Sequence, residues 1–583
     1  MKRIIFTLSL LFACGTLWAQ STDKFILDMV HHNPGEPLTP SAFNHPEFLK
    51  KEGYNGQVIN DFTFAHAALT FDKLNPDIFP QGSKERAWVN TAALKVKDYI
   101  KNAHQAGIKI YYFTDIIVLP KKLIALYKDE ICDKNGKVSF EREKTIEIHR
   151  IMLDELFDTF PDLDGLVIRT GETYLNNVPY HSGNGPITNG EASHIKLLQL
   201  LREEVCEKRN KKIFYRTWSF GGMHEEPKYY LGVTNAINPH PNLIFSIKHT
   251  KGDYHRTFSF NPTLGIGNHP QLVEVQAQRE YEGKGAYPNY VAEGVINGFE
   301  EHQNIQGLKS LEQLKNHKNF KGIWTWSRGG GWVGPYIKNE FWCKLNAFVL
   351  SRWGLNPTLS EEQVFNQFMD EEGITDAPSR LNFRKLSLLS AKAVLRGHAS
   401  ADYPFEQDWV WWMRDEFLGG IGNPSIDSHL FPSEGYLYKA FSSWYQSGVL
   451  MQVVKEKHDN VKLWAQIYQL SKKINMANKE DQAYIQTSSL YGYLLHQIIA
   501  DGWEVMALGF TGDKTGVYDK VKLKAAIKKY DAAWLKYQDL KKTHPDCATL
   551  YKPYAFIYQK PNYHADLGMD ASVNKYRLLV KKL

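Results

Sequence analysis

Three carboxylates in this chain stand just past the ends of short β-rich runs. Glu172 follows Gly165-Leu166-Val167-Ile168-Arg169 and opens a loop rich in Asn, Gly and Pro; Asp253 follows Leu243 to Lys248; Glu280 follows Val273 to Gln278. Paired carboxyl groups are the equipment for cleaving a glycosidic carbon–oxygen bond. One donates a proton to the leaving oxygen, and the other activates water or attacks directly. Taken singly, each of the three reads equally as a cap or an ion-pair partner, so the weight rests on their coming together. Cations accompany them: Arg169, Arg216 and Lys248 lie near the carboxyl ends of their own runs. A charge left unpaired in a dry rim is costly. These cations therefore either pair with the carboxylates or hold an anionic substrate, and Arg grips a carboxylate with two bonds.

Such residues are far apart in sequence and need a frame that brings strand ends to one place. From residue 25 to about 335, short β-rich runs alternate with amphipathic stretches. The runs are Phe25–Val30, Gly56–Asp61, Ile108–Asp115, Gly165–Arg169, Lys212–Trp218, Leu243–Lys248, Val273–Gln278 and Gly322–Ser327, with helical stretches such as Ala93–Ala106 and Ser193–Arg209 between them. Eight strand–helix repeats predict an α/β fold, a (β/α)8 TIM barrel spanning 22–338, whose active-site face is the carboxyl end of the strands. The seventh run is weakly apolar, and the connection after Lys248 is long. Beyond residue 339 the pattern turns helical to the end of the chain, giving an α-helical domain over 339–583. Ser360-Glu361-Glu362-Gln363 has capping-box spacing. Leu381–Leu395, Lys439–Lys457, Val461–Ile474, Gln482–Ala500 and Lys520–Lys541 read as helices. The segment Asp402–Asn423, with Trp409, Trp411 and Trp412, reads as irregular and able to reach over the barrel mouth.

Length fits two domains, since single cores stop growing at roughly 250–300 residues and the chain has 583. Met1-Lys2-Arg3, an apolar stretch and Leu17-Trp18-Ala19 form a signal peptide over 1–19, so the protein is expected to be exported to the periplasm. Lipid attachment at Cys14, in a poorly fitting lipoprotein box, and full secretion are the alternatives. No later run approaches the ~20 apolar residues of a membrane span. Removing Lys2 and Arg3 takes the formal charge from +6 to +4, too mild to imply nucleic acid. The cysteines beyond Cys14 are widely separated and read as buried free thiols. Without C-x-x-C, H-x-H or H-E-x-x-H spacing, neither a metal nor another cofactor is expected. Aromatic content of 13% suits stacking on sugar faces but also fills cores.

With those residues in view, the chain resembles the α-glucuronidases of glycoside hydrolase family 67, which remove 4-O-methylglucuronic acid from xylan fragments. The resemblance runs from about residue 160 to 370. It rests on Leu166 to Glu172, Ile213-Phe214-Tyr215-Arg216, Lys248-His249-Thr250-Lys251-Gly252-Asp253-Tyr254 (beside the family's Lys-Asn-Gly-Pro-Ile-Asp-Phe), Gln278-Arg279-Glu280-Tyr281, and Asn346-Ala347-Phe348 through Asn356-Pro357. It implies an inverting exo-acting enzyme with Glu172 as general acid and the Asp253/Glu280 pair positioning and deprotonating water. Arg169, Arg216 and Lys248 would then hold the uronate carboxylate and ring hydroxyls of a plant or algal oligosaccharide. Two departures stand out. The family's α/β domain ahead of the barrel has no counterpart, and the acid-strand motif is about one residue short, so Arg169 replaces a family lysine only approximately.

Asp115, at the end of the third run, reads as a hydroxyl ligand or a helix cap. Trp326 and Arg328, beside Gly329-Gly330-Gly331 and Trp332, offer a sugar platform on the eighth. Two other readings stay open: a retaining barrel glycosidase on a different sugar, with Glu280 as nucleophile, and an exported sugar-binding protein without catalysis. A homodimer through the helical domain also stays open.

Overall fold

The computed structural model describes residues 24–33, 38–218, 222–330, 337–405, 436–544, 547 and 569–582. The expected signal peptide, Gly331, Trp332 and the three tryptophans of 409–412 lie outside these residues. Eight strands form a closed barrel: β1 (Phe25–His31), β2 (Gly56–Ile59), β3 (Lys109–Thr114), β4 (Gly165–Ile168), β5 (Lys212–Arg216), β6 (Leu243–Lys248), β7 (Gln271–Gln276) and β8 (Phe320–Gly329). Each pairs in parallel with its sequence neighbours, and β8 returns to β1. With helices such as Lys84–Gln105 and Glu143–Thr159 outside, this is the (β/α)8 architecture that the alternating pattern predicts.

The period of two along each strand decides what the barrel contains. Toward the amino ends the interior is apolar, filled by Leu27, Val58, Tyr111, Val167, Phe214, Ile244, Leu272 and Trp324. Two residues further along, the same inward face carries Arg216, Ser246, Glu274 and Trp326. Another step brings Lys248 and Gln276, whereas Arg328 pairs with outward-facing Val30 and turns to Glu340. The core thus changes from hydrocarbon to charge within about two residues of strand, roughly 6–7 Å. A register shift between Met29 and Val30, opposite Trp326 and Arg328, marks a bulge at this rim, where bulges re-aim side chains.

Gly329 lets β8 end against β1. Its φ is +83°, and a Cβ there would strike the His31 carbonyl. Gly329→Ala is expected to destabilise the fold by about 2–4 kcal/mol, from strain and backbone collision together. A fall in urea midpoint at unchanged m-value is the readout.

After the barrel come α1 (Phe341–Leu355), α2 (Glu361–Glu371), α3 (Ala377–His398), α4 (Tyr436–Gln446), α5 (Leu450–Ser471), α6 (Lys479–Thr515), α7 (Lys520–Thr543) and α8 (Met569–Lys582). The capping box at Ser360 and Gln363 is formed in both directions. The single expected helix Lys439–Lys457 is two helices, because Gly448 at φ +72° takes the left-handed conformation that stops α4. The expected Val461–Ile474 helix is the second half of α5. Helix α6 runs well past Ala500, since Gly502, Gly509 and Gly512 are sites of close approach for Met569, Tyr576 and Tyr518 and do not break it. Among the described residues, one apolar cluster passes from the outer layer of the barrel through α1–α7 to α8. The change at residue 339 is therefore one of element type within a continuous core. Cys132, Cys206, Cys343 and Cys547 are free thiols.

Candidate active site

Strands β5, β6 and β7 build one side of the barrel mouth. Arg216 donates from Nε and Nη2 to the two Glu274 carboxylate oxygens at 2.9 and 2.8 Å. Glu274 also accepts from the Ser246 hydroxyl at 2.9 Å and the Tyr254 hydroxyl at 3.4 Å. Both members are buried, and such a pair persists only where its remaining polar atoms are also satisfied. Above it, the Lys248 ammonium meets Asp253 Oδ1 at 2.6 Å and lies 3.9 Å from the centre of the Trp218 ring and 4.6 Å from that of Tyr254. The other Asp253 oxygen accepts from the Tyr281 hydroxyl at 2.6 Å. Trp326 links these groups: Arg216 is 5.0 Å and Lys248 5.9 Å from its ring, and His31 stacks on it at 5.0 Å.

The opposite side comes from β3 and β4. Arg169 clasps Asp115 through Nε, at 2.5 Å, and Nη2. Its guanidinium lies against Tyr174, Phe62 and Phe113 at 4.9, 5.0 and 5.3 Å. Phe113 bridges the two sides, with Arg216 at the same 5.3 Å from its ring. The Tyr174 hydroxyl donates to Glu172 at 2.6 Å, and Glu172 itself is exposed. Phe62 and Phe64 hold φ of +56° and +53°. Bulky residues in that region store strain, of the kind that clusters at functional sites. A two-stranded ladder, Leu119–Pro120 with His181–Ser182, ties the loop after β3 to the loop after β4.

Glu280 is presented by a second strained turn. Arg279, at φ +56°, pairs with Glu282 in a buried ion pair. The turn delivers the Glu280 amide to Gln276 Oε1 at 2.7 Å. A Cβ on Gly330 would come within 2.7 Å of the Glu280 carboxylate, so only glycine lets that side chain lie against β8. Arg328 is engaged by Glu340 at 2.5 Å and by Gln278 at 3.3 Å.

Electrostatics follow from these neighbours. Burial raises the Asp253 carboxyl, but Lys248, His255 and the Tyr281 hydroxyl outweigh it and hold the group well below the usual carboxylate range. Burial pushes Asp115 up despite Arg169. His31 is driven down to about 3, by burial first and then by Arg169, Arg216 and Lys248. A neutral imidazole therefore sits within the field of all three cations, and its buried Nδ1 has no hydrogen-bond partner.

Of the residues singled out from sequence, the structure joins Lys248 to Asp253 directly and Arg169 to Asp115 directly. Asp115 serves an ion pair and no helix cap. Arg216, Lys248 and Trp326 meet on one side, with Glu280 on the loop that follows β7. Glu172 reaches the cationic centre only through Tyr174. Each of the two arginines spends Nε and Nη2 on its carboxylate, and none of the described hydrogen bonds uses either Nη1. Sequence reading missed Glu274, Tyr174, Tyr281, Trp218 and His31. Glu274 was visible in principle, because Leu272, Glu274 and Gln276 follow the inward period of two.

Glu274→Gln is expected to lower stability by about 3 kcal/mol, because it leaves Arg216 charged and uncompensated. The double change Glu274→Leu with Arg216→Met is expected to recover most of that loss. Urea midpoints of the three proteins test this, and equal loss in the single and double variants would contradict it.

No protein-family model matches the chain, and no curated protein does. Solved structures do resemble it. A GH138 enzyme targeting pectin rhamnogalacturonan II aligns over 96% of this chain and 84% of its own, at 10% identity and a TM-score of 0.58. A mutant O-GlcNAc hydrolase from Thermobaculum terrenum aligns over 96% and 94%, at 9% identity and a TM-score of 0.39. At such identities the first likeness speaks to the fold: a barrel with carboxyl-terminal helices shared over nearly the whole chain.

Proposed function

We propose that this protein is an exo-acting glycoside hydrolase that removes a terminal uronic acid from plant or algal oligosaccharides with inversion, in the manner of the family 67 α-glucuronidases. The supporting observation is the composition of the mouth. Lys248 pairs with Asp253, Arg169 with Asp115 and Arg216 with Glu274, and the two arginines keep Nη1 out of every described hydrogen bond, while Glu172 and Glu280 stand on the loops after β4 and β7. A sugar carboxylate can take the Nη1 groups of Arg169 and Arg216 without displacing Asp115 or Glu274; Trp326, expected as a sugar platform, is instead buried beneath His31, Arg216 and Lys248 and positions those cations. That the GH138 enzyme acts on pectin, a polymer rich in uronic acid, is in keeping with this reading. Export to the periplasm would bring the protein to such fragments.

In this mechanism Glu172 protonates the glycosidic oxygen as the bond from C1 breaks, and water bonds to C1 from the opposite face. Asp253, kept ionised by Lys248 and Tyr281, is a poor proton acceptor but a permanent anion. It orients the water and offsets positive charge growing on the ring, while Glu280 takes the water proton. Tyr174 fixes the Glu172 carboxyl through its hydroxyl. Neutral His31 adds no further positive charge next to that ring.

The test is incubation with a panel of uronate-capped oligosaccharides, following products by proton NMR. Uronic acid released first as the inverted anomer is expected. Release of neutral sugar alone would overturn the uronate assignment, retained configuration would overturn water activation, and no release at all would favour a sugar-binding protein without catalysis.

A further inference from the structure

The far end of the barrel carries a second concave site. A cavity of about 730 Å3 opens at the amino ends of the strands, within the ~300–1,000 Å3 range of ligand sites. Five lysines line it: Lys24 and Lys109 at the starts of β1 and β3, Lys212 at the start of β5, and Lys318 and Lys321 around the start of β8. No carboxylate lines it. Lys109 pairs with Asp164 at 2.9 Å. Lys24 donates to the Phe320 carbonyl at 2.7 Å, Lys212 to the Asn242 amide oxygen and Lys318 to that of Asn268 at 3.5 Å, while Lys321 makes no described hydrogen bond. Burial first lowers the Lys212 ammonium, with Lys109 adding to it against Cys206 and Asp164. Like charges gathered at the end of a barrel cost stability, and the bottom face of such a barrel is ordinarily the stabilising one.

We infer that this basal cavity is a non-catalytic binding site for an acidic polysaccharide chain, which it would hold at the opposite end of the barrel from the catalytic mouth. The lysines come from the starts of four strands, β1, β3, β5 and β8, around the rim. That spacing suits carboxylates recurring along a chain better than a single phosphate. Four asparagines between them and the Phe25 and Tyr111 side chains beneath suit hydroxyls and sugar faces. The identity of the anion as a uronate polymer rests on the proposed function; the anionic character of the ligand does not.

The experiment uses the full chain carrying Glu280→Gln, so that nothing is consumed, in affinity electrophoresis through gels containing polygalacturonate, neutral dextran or single-stranded DNA. Retardation by polygalacturonate alone is expected. The exposed-side double variant Lys318→Gln/Lys321→Gln is expected to weaken it about tenfold and to leave the thermal midpoint, and in the wild-type background the hydrolysis of a short uronate-capped trisaccharide, unchanged. No retardation, equal retardation in the double variant, or stronger retardation by DNA would each overturn the inference. Retardation that needs the two lysines in a protein that hydrolyses no uronoside would uphold the basal site and defeat the functional reading, so the two failures are distinguishable.

Discussion

Replacing Glu172 with Gln is expected to lower kcat on a natural uronate-capped oligosaccharide by about 10²–10⁴-fold, the usual contribution of a positioned general acid. KM should change little, because the amide is nearly isosteric and the uronate is held by other groups. An aryl uronoside separates this role from a structural one. Its phenolate departs without a proton, so the same variant is expected to keep most of its activity there. Equal loss on both substrates would remove Glu172 from the acid role. Tyr174→Phe deletes the hydrogen bond to the same carboxyl and is expected to lower kcat on the natural substrate while leaving KM and stability little changed.

The second large effect is acid unfolding. His66, His181 and His194 are each about 1% exposed and His224 is fully buried. Burial is the first cause in each case, and it drives all four down to about 3. As pH falls below the unfolded value near 6.5, the unfolded chain takes up five protons that the folded chain refuses, at these four and at His31, which is also held down to about 3. Stability therefore falls with falling pH, each histidine contributing about 1.4 kcal/mol per pH unit until its folded value is reached. Asp28 works the other way. Burial pushes it up to about 7 against bonds from Thr325 and Ser327, so between pH 7 and about 4 the folded state holds a proton that the unfolded state releases, offsetting roughly one histidine. The depressed Asp253 adds loss only below about pH 4. The net slope from these groups is about 5–6 kcal/mol per pH unit, set against a total stability of ~5–15 kcal/mol. Cooperative unfolding between about pH 4 and 5.5 is expected, followed by circular dichroism. A chain still folded at pH 3.5 would show that these histidines do protonate in place.

The barrel was legible because seven of its strands are short apolar runs with clear turn signals. Strand β7 was the faint one, and the structure explains why. Its inward positions carry Glu274 and Gln276 where a simpler barrel would place hydrocarbon, so weak apolarity was itself the mark of the site. The partner of Arg216 could not be read locally, since it lies two strands away across an interior layer drawn from alternate strands. Arg169 and Asp115 follow the adjacent strands β4 and β3 and meet through the pairing of those two strands. Helix α6 was read too short because glycine carries two messages. A break and a close approach look alike until the side chains of α8 are in view. Tyr174 orients Glu172 from two places away and Tyr281 orients Asp253 from another loop; neither spacing is distinctive in sequence.

The central claim is tested most directly by a crystal structure of the Glu172→Gln protein with an intact uronate-capped oligosaccharide. The sugar carboxylate is expected within hydrogen-bond distance of Nη1 of Arg169 or Arg216, with the glycosidic oxygen beside residue 172 and a water between C1 and Glu280. A ligand bound away from the mouth, or one whose carboxylate points from both arginines into solvent, would contradict it.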